Sequence, residues 1–364
     1  MRPFAHNQGG DSMSYVAIKG GGEAIDASKG FFHDLIDGAG KIDDEQLQKG
    51  LLFSCDRIMG EGALYSEKLA AVAMRRTGGD LLEAAFYLRA HRSTCRRIGE
   101  ATPLDGGSMR LLRRISSAFK DIEGGQILGP SCDYVIRLFR GYRLNDNKKT
   151  VTPKAPTLNG SLPSAVDSLR QKDRIIVLKN GEDKPFDVSR TFPAPPYPRS
   201  ALMQVMARGE TGGMLAFAYT SMRGYGDVHP TIGDLRIGYL GVEFTHPFSG
   251  KKVKIGEIRA TICEAIGSFN RDKRDGRLRL SSGFGFCLGF NETKAIAMSV
   301  LDMAMHHDCY SVGGSPIAAN PEMVIHHIDG IESMGFCNHF KLPHYVTFQA
   351  DLQVLDKTKE QSDE

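Results

Sequence analysis

The hydrophobic pattern of this 364-residue chain changes period part-way along, and that change limits the folds open to it. In DLLEAAFYLRAHRSTCRRI, residues 80–98, Leu81, Ala84, Ala85 and Leu88 form one helical stripe, and Asp80 with Glu83 three positions on makes a capping box. The runs at 44–59 and 66–76 are amphipathic in the same way. Past residue 230 a second period enters: DLRIGYLGVEFTH, KVKIGEIRATICEAI and RLRLSSGFGFCLGF alternate and are rich in β-formers, as strands are. Helices gathered first and strands later define an α+β chain. The expectation is a helical N-terminal region followed by a mixed α/β C-terminal region with an antiparallel or mixed sheet.

Between the two patterns, residues 144–199 run from LNDNKKTVTPKAPTLNGSLPS through a short strand-like RIIVL to TFPAPPYPRS. Those prolines exclude a helix interior or a central strand. The segment reads as a linker or insertion, and the chain divides into an N-terminal extension (1–13, disordered), a mainly helical domain (14–143), the linker (144–199), a mixed α+β domain (200–358) and a polar tail (359–364). Met13 offers an alternative start to Met1. In the last domain SALMQVMARG and MLAFAYTSM are expected helices. Two more follow: NETKAIAMSVLDMAMHH capped by Asn291, and NPEMVIHHIDGIESMGF with Asn320 as cap, Pro321 at its first position and Gly335 at its end.

A formal net charge of +3 is too mild to point to nucleic acid, although anionic small molecules stay open. No run approaches the length of a membrane span and the N-terminus lacks a signal-peptide apolar region, so a cytoplasmic protein is expected. Seven scattered cysteines with no CxxC imply neither a disulfide framework nor a metal-binding cysteine cluster, and most are expected to be small buried hydrophobes.

Several stretches carry chemistry, each beside a plainer reading. In PLDGGSMRLLRRIS, Arg110, Arg113 and Arg114 fall at helical spacing, able to grip a polyphosphate with forked donors or to form a solvated helix face. KGGGE (19–23) is a strand-to-helix turn that lacks the phosphate-loop patterns. RGYGDVHP (223–230) offers Arg223 for an anion and His229 for proton transfer, or is an exposed turn. Glu264 lies in the apolar run ATICEAIGSF, where a carboxylate is either a functional group or a strand residue facing solvent. HFKLPHYVTF places His339 and His344 five apart around a proline: half of a metal site, or two loop histidines.

Taken together, YVAIKGGGEAIDA, PLDGGSMRLLRRIS, KDIEGGQILGP, RGYGDVHP, FNETKAIAMSVLD and HFKLPHYVTFQADL resemble the PhnI family, the I subunits of the bacterial carbon-phosphorus lyase core complex. The similarity runs from Tyr15 to about Leu355 and fades over 144–199. The resemblance implies a subunit that acts in phosphonate catabolism with the G, H, J and L subunits. Together they displace adenine from ATP by an alkylphosphonate to give ribose 1-methylphosphonate 5-triphosphate. It also implies a nucleosidase activity on ATP or GTP in the isolated subunit. His339 and His344 map onto a zinc site at the contact with the radical J subunit, to which the iron-sulfur cluster belongs.

Base displacement builds positive charge on the sugar, so such a site needs a carboxylate near the ribose, an acid for the base and cations for the phosphates. The residues assigned are Glu264 for the sugar, His229 for the base, and Arg110, Arg113 and Arg223 for phosphate. A mainly scaffolding role, presenting a metal-bearing surface to the radical subunit, is the alternative.

Overall fold

A computed structural model describes residues 21–38, 40, 42–134, 161–178, 184–223, 230–306 and 317–362. Twelve helices and a four-stranded sheet are formed among these residues, an α+β arrangement as expected. Helices α1 (Gly22–Asp37), α2 (Asp44–Gly50), α3 (Leu52–Gly62), α4 (Glu67–Arg76) and α5 (Leu81–Thr94) come first. Side chains close their exposed N-termini: Asp43, Ser66 and Asp80 each accept from a backbone N–H in the first turn of α2, α4 and α5. The run expected as one helix over 44–59 breaks at Leu51, whose backbone leaves the helical region.

The sheet is antiparallel throughout, in the order β1 (Arg110–Ile115), β2 (Thr231–Thr245), β3 (Lys252–Arg271), β4 (Leu278–Leu288). Strand β1 corrects the helical reading of the arginine segment. Its apolar residues fit either period, and pairing with the free edge of β2 decides for strand, with a bulge between Leu111 and Arg113. RIIVL is no strand: Ile175 makes one isolated bridge to Leu280.

Helix α9 (Glu292–Met305), capped by Asn291, lies against β4 because Gly283 and Gly285 carry no side chain; a Cβ at either would overlap the carbonyl oxygens of Ser299 and Ala295. Behind α9, helices α7 (Arg199–Arg208), α8 (Thr211–Thr220) and α10 (Pro321–His327) enclose a core that includes Leu202, Met206, Met214, Leu301 and Ile325. The short α6 spans Asp167–Gln171. The helix expected over 320–336 is two. Asp329 accepts from Ile331 N and starts α11 (Gly330–Phe340), which runs through Gly335, and α12 (Tyr345–Ser362) extends into the expected polar tail.

Buried ion pairs tie the early helices to this body. Arg259 of β3 donates to Asp56 of α3 at 2.7 and 2.8 Å, and Arg89 of α5 grips Asp329 with both carboxylate oxygens at 2.6 and 2.9 Å. Cys55, Cys263 and Cys287 are buried as expected, whereas Cys95, Cys132 and Cys337 are exposed. No described helix is long and apolar enough to cross a membrane.

Candidate active site

Alternation along the strands sorts their residues between two faces. Leu235, Cys263 and Cys287 pack towards α9, while Asp234 and Arg236 of β2, Ile262 and Glu264 of β3, and Phe284 and Phe286 of β4 turn to the other face and line a cavity of about 350 Å3. Glu264 sits in register opposite both Asp234 and Phe284, at the middle of that floor.

Glu264 is held at both oxygens. Arg170 Nη2 donates to Oε1 at 2.6 Å, Ser164 Oγ donates to Oε2, and the side chain keeps 14% exposure. Burial alone would push the Arg170 guanidinium down from its ordinary value; its pairing with Glu264 and Asp167 outweighs this and holds it up. The result is a fixed carboxylate at the edge of a cavity that Asp105, Asp167 and Asp234 also line. Such a cavity favours a group that becomes positive.

The loop carrying Ser164 and Arg170 is hung on Asp234. That buried carboxylate accepts from Arg114 at 3.0 and 3.2 Å, from Arg236 at 2.8 and 3.0 Å, and from the Ala165 N–H at 2.9 Å. Arg236 donates onward to the carbonyls of Leu162 and Pro163, and Arg114 to that of Pro163. Burial would raise the Asp234 carboxyl, but the Arg114 and Arg236 hydrogen bonds prevail and keep it below the usual carboxylate range.

Of the described residues expected at the site, only Glu264 lines this cavity; Arg110 is in register with Tyr239, five residues along β2 from the Asp234 that faces Glu264. Arg110 lies over the Tyr239 ring at 4.1 Å, pairs with Glu257 at 2.9 Å, and lines a neighbouring cavity that shares Leu104 and Asp105 with that of Glu264. Arg113 is elsewhere: it is buried and donates to Glu292, Asp133 and the Leu128 carbonyl, so its guanidinium is consumed within the protein. Arg223 is exposed and donates to Tyr219 Oη at 2.9 Å. His229 lies outside the described residues. His339 ends α11 and His344 precedes α12; both are exposed, with ring centroids 5.0 Å apart, and no group of three or more metal-binding side chains forms among the described residues.

Sequence reasoning missed Ser164, Arg170, Asp234 and Arg236. The last two carried a signal: opposite charges two apart on a predicted strand share one face, and within an apolar run they must be partnered. Ser164 and Arg170 gave none, since they belong to a stretch read as linker.

Comparison with known proteins places this geometry in context. Residues 14–362 match the family model described as bacterial phosphonate metabolism protein (PhnI). The chain is 43% identical to HtxH of Stutzerimonas stutzeri, named provisionally as a C-P lyase subunit protein, over 96% of this chain and 97% of that one. It is 36% identical to the alpha-D-ribose 1-methylphosphonate 5-triphosphate synthase subunit PhnI of Escherichia coli K12, covering 95% and 99% of the two chains. With the subunit of the same name from Rhizobium meliloti 1021 the identity is 35%, over 96% of each.

Replacing Asp234 by Asn strands two buried guanidinium groups and is expected to cost about 3–5 kcal/mol in urea or guanidinium unfolding. Because the folded-state value of Asp234 lies below its ordinary 3.8, its ionised form contributes stability that is present above that pH and lost as pH falls through the folded value. The Asn variant should lack that part of the wild-type acid dependence. Equal unfolding midpoints at neutral pH would contradict the assigned role.

Proposed function

The chain belongs to the PhnI family of bacterial phosphonate metabolism proteins, and from that premise we propose that it is the I subunit of a ribose 1-methylphosphonate 5-triphosphate synthase in the carbon-phosphorus lyase pathway. The proposed reaction is a transfer: the bond from the ribose anomeric carbon to the purine nitrogen of ATP breaks, and a bond from that carbon to a phosphonate oxygen forms. Without phosphonate and partner subunits, water takes the phosphonate's place and ATP or GTP loses its base, a nucleosidase reaction.

The observation that carries this reading is Glu264, a carboxylate fixed by Arg170 and Ser164 on the floor of an acid-lined cavity. As the base departs, positive charge spreads over the anomeric carbon and ring oxygen, and a carboxylate already in place stabilises it without reorganising. His229 is the proposed acid for the leaving base and Arg223 remains a proposed phosphate contact; Arg110, paired with Glu257 in a net negative lining, and Arg113 serve the fold instead. Partners are the G, H, J and L subunits, with the cytoplasm as the compartment.

A second, compatible role rests on His339 and His344. Two imidazoles bound to one tetrahedral zinc place their ring centroids about 5 Å apart. The observed 5.0 Å fits that spacing, and both histidines are exposed in a stretch that also exposes Phe336, Phe340 and Val346. The two histidines would supply half of a zinc site, and a partner, proposed to be the J subunit, the remainder. Bound zinc would join the two chains through these side chains.

Glu264→Gln should lower adenine release from ATP by about 10²–10³-fold while leaving the unfolding midpoint near wild type; undiminished release would remove Glu264 from the reaction. His339→Ala with His344→Ala should lower the zinc content of the assembled complex, measured by elemental analysis, with base release retained. Full zinc content in that variant would dismiss the histidines as ligands.

A further inference from the structure

A cavity of about 700 Å3 adjoins the Glu264 cavity, and Phe286 lines both. Its walls are the last turn of α5 and the residues just after it (Arg92 to Arg97), the segment 187–190, the last turn of α7 and the β4 residues Phe286 and Leu288. Five arginines line it, Arg92, Arg96, Arg97, Arg190 and Arg208, against a single carboxylate, Asp187.

Two of these arginines are committed within the wall: Arg97 pairs with Asp187 and Glu100, and Arg190 approaches Asp187 at 3.5 Å. The others are not. Among the described residues neither the Arg92 nor the Arg96 side chain has a hydrogen-bond or ion-pair partner, and Arg208 Nε is buried with none. Burial, and then the neighbouring Arg89, push the Arg208 guanidinium down from its ordinary value. Such a gathering of unneutralised like charge costs stability unless an anion enters.

We infer that this arginine-lined cavity is the seat of the triphosphate, with Arg92, Arg96 and Arg208 as its forked donors and Phe286 at the boundary with the ribose cavity. Charge decides against the other neighbouring cavity: there Arg110 and Lys254 face Asp105, Glu243 and Glu257, a net negative lining. Polyphosphate oxygens accept two parallel N–H donors from each guanidinium, so three uncommitted arginines match a chain of phosphoryl groups better than a single small anion. The choice of a triphosphate over other polyanions rests on the proposed reaction. Placed so, the phosphates anchor the nucleotide at one end and bring the anomeric carbon over the neighbouring acid-lined floor, which is what remote binding groups contribute to a displacement at the sugar.

The test is calorimetric titration of the full chain with inorganic tripolyphosphate, which carries neither sugar nor base. Arg92→Ala with Arg96→Ala, one in the last turn of α5 and the other just past it, should weaken binding by about tenfold or more, whereas Arg110→Ala should leave it unchanged. Equal affinity in the double variant, a matching loss in Arg110→Ala, or no binding to the wild type would overturn the assignment. So would competition by a single-stranded oligodeoxynucleotide at equal phosphate concentration, because it offers only phosphodiesters. The two ideas fail separately: normal base release by Glu264→Gln with weakened tripolyphosphate binding in the arginine variant removes Glu264 from the reaction and keeps this site, and the reverse pair removes this site alone.

Discussion

Asp234 is the charge on which the site's geometry depends. A carboxylate this deep in a sheet is tolerated only because Arg114 and Arg236 surround it, and those two arginines in turn donate to the carbonyls of the loop over 161–167. One buried triad therefore does two things. It joins β1 to β2 through side chains as well as backbone, and it fixes where Ser164 and Arg170 stand beside Glu264. Glu264 owes its orientation to a residue directly across the strand pair.

The sheet then sets the order of the site along its outer face. Glycines at 283 and 285 let α9 close one side of β4, and the alternate positions, Phe284 and Phe286, form an apolar floor on the other. That floor runs from an acid-lined cavity around Glu264 to an arginine-lined cavity at the end of α5, with Phe286 common to both. A substrate that is anionic at one end and develops positive charge at its reacting carbon matches this polarity. His339 and His344 do not line either cavity; they lie near the end of α11 and just before α12.

Much of the frame was legible in the chain. The caps at Asp80, Asn291 and Asn320 and the three long strands follow from local chemistry that acts whatever the tertiary contacts. What failed was decided at a distance. The arginines of β1 satisfy helical spacing, and only the unpaired edge of β2, over a hundred residues on, makes them a strand. Arg113 looked like a phosphate ligand for the same reason it is not one: its forked donors are as well suited to Glu292 and Asp133. Glu264 was legible because a carboxylate in an apolar run demands an explanation, while its partners Ser164 and Arg170 sit in sequence that resembles a linker. Arg92, Arg96 and Arg208 were hidden differently, since arginines at helix ends are common and only the fold shows three of them turned into one cavity.

The central claim is that base displacement and triphosphate binding share one continuous site across Phe286. A structure of the full chain with an ATP analogue whose glycosidic bond resists cleavage tests it most directly. The account predicts the ribose against Glu264 and the phosphates among Arg92, Arg96 and Arg208. Phosphates bound beside Arg110 and Lys254, or a nucleotide seated at His339 and His344, would contradict it.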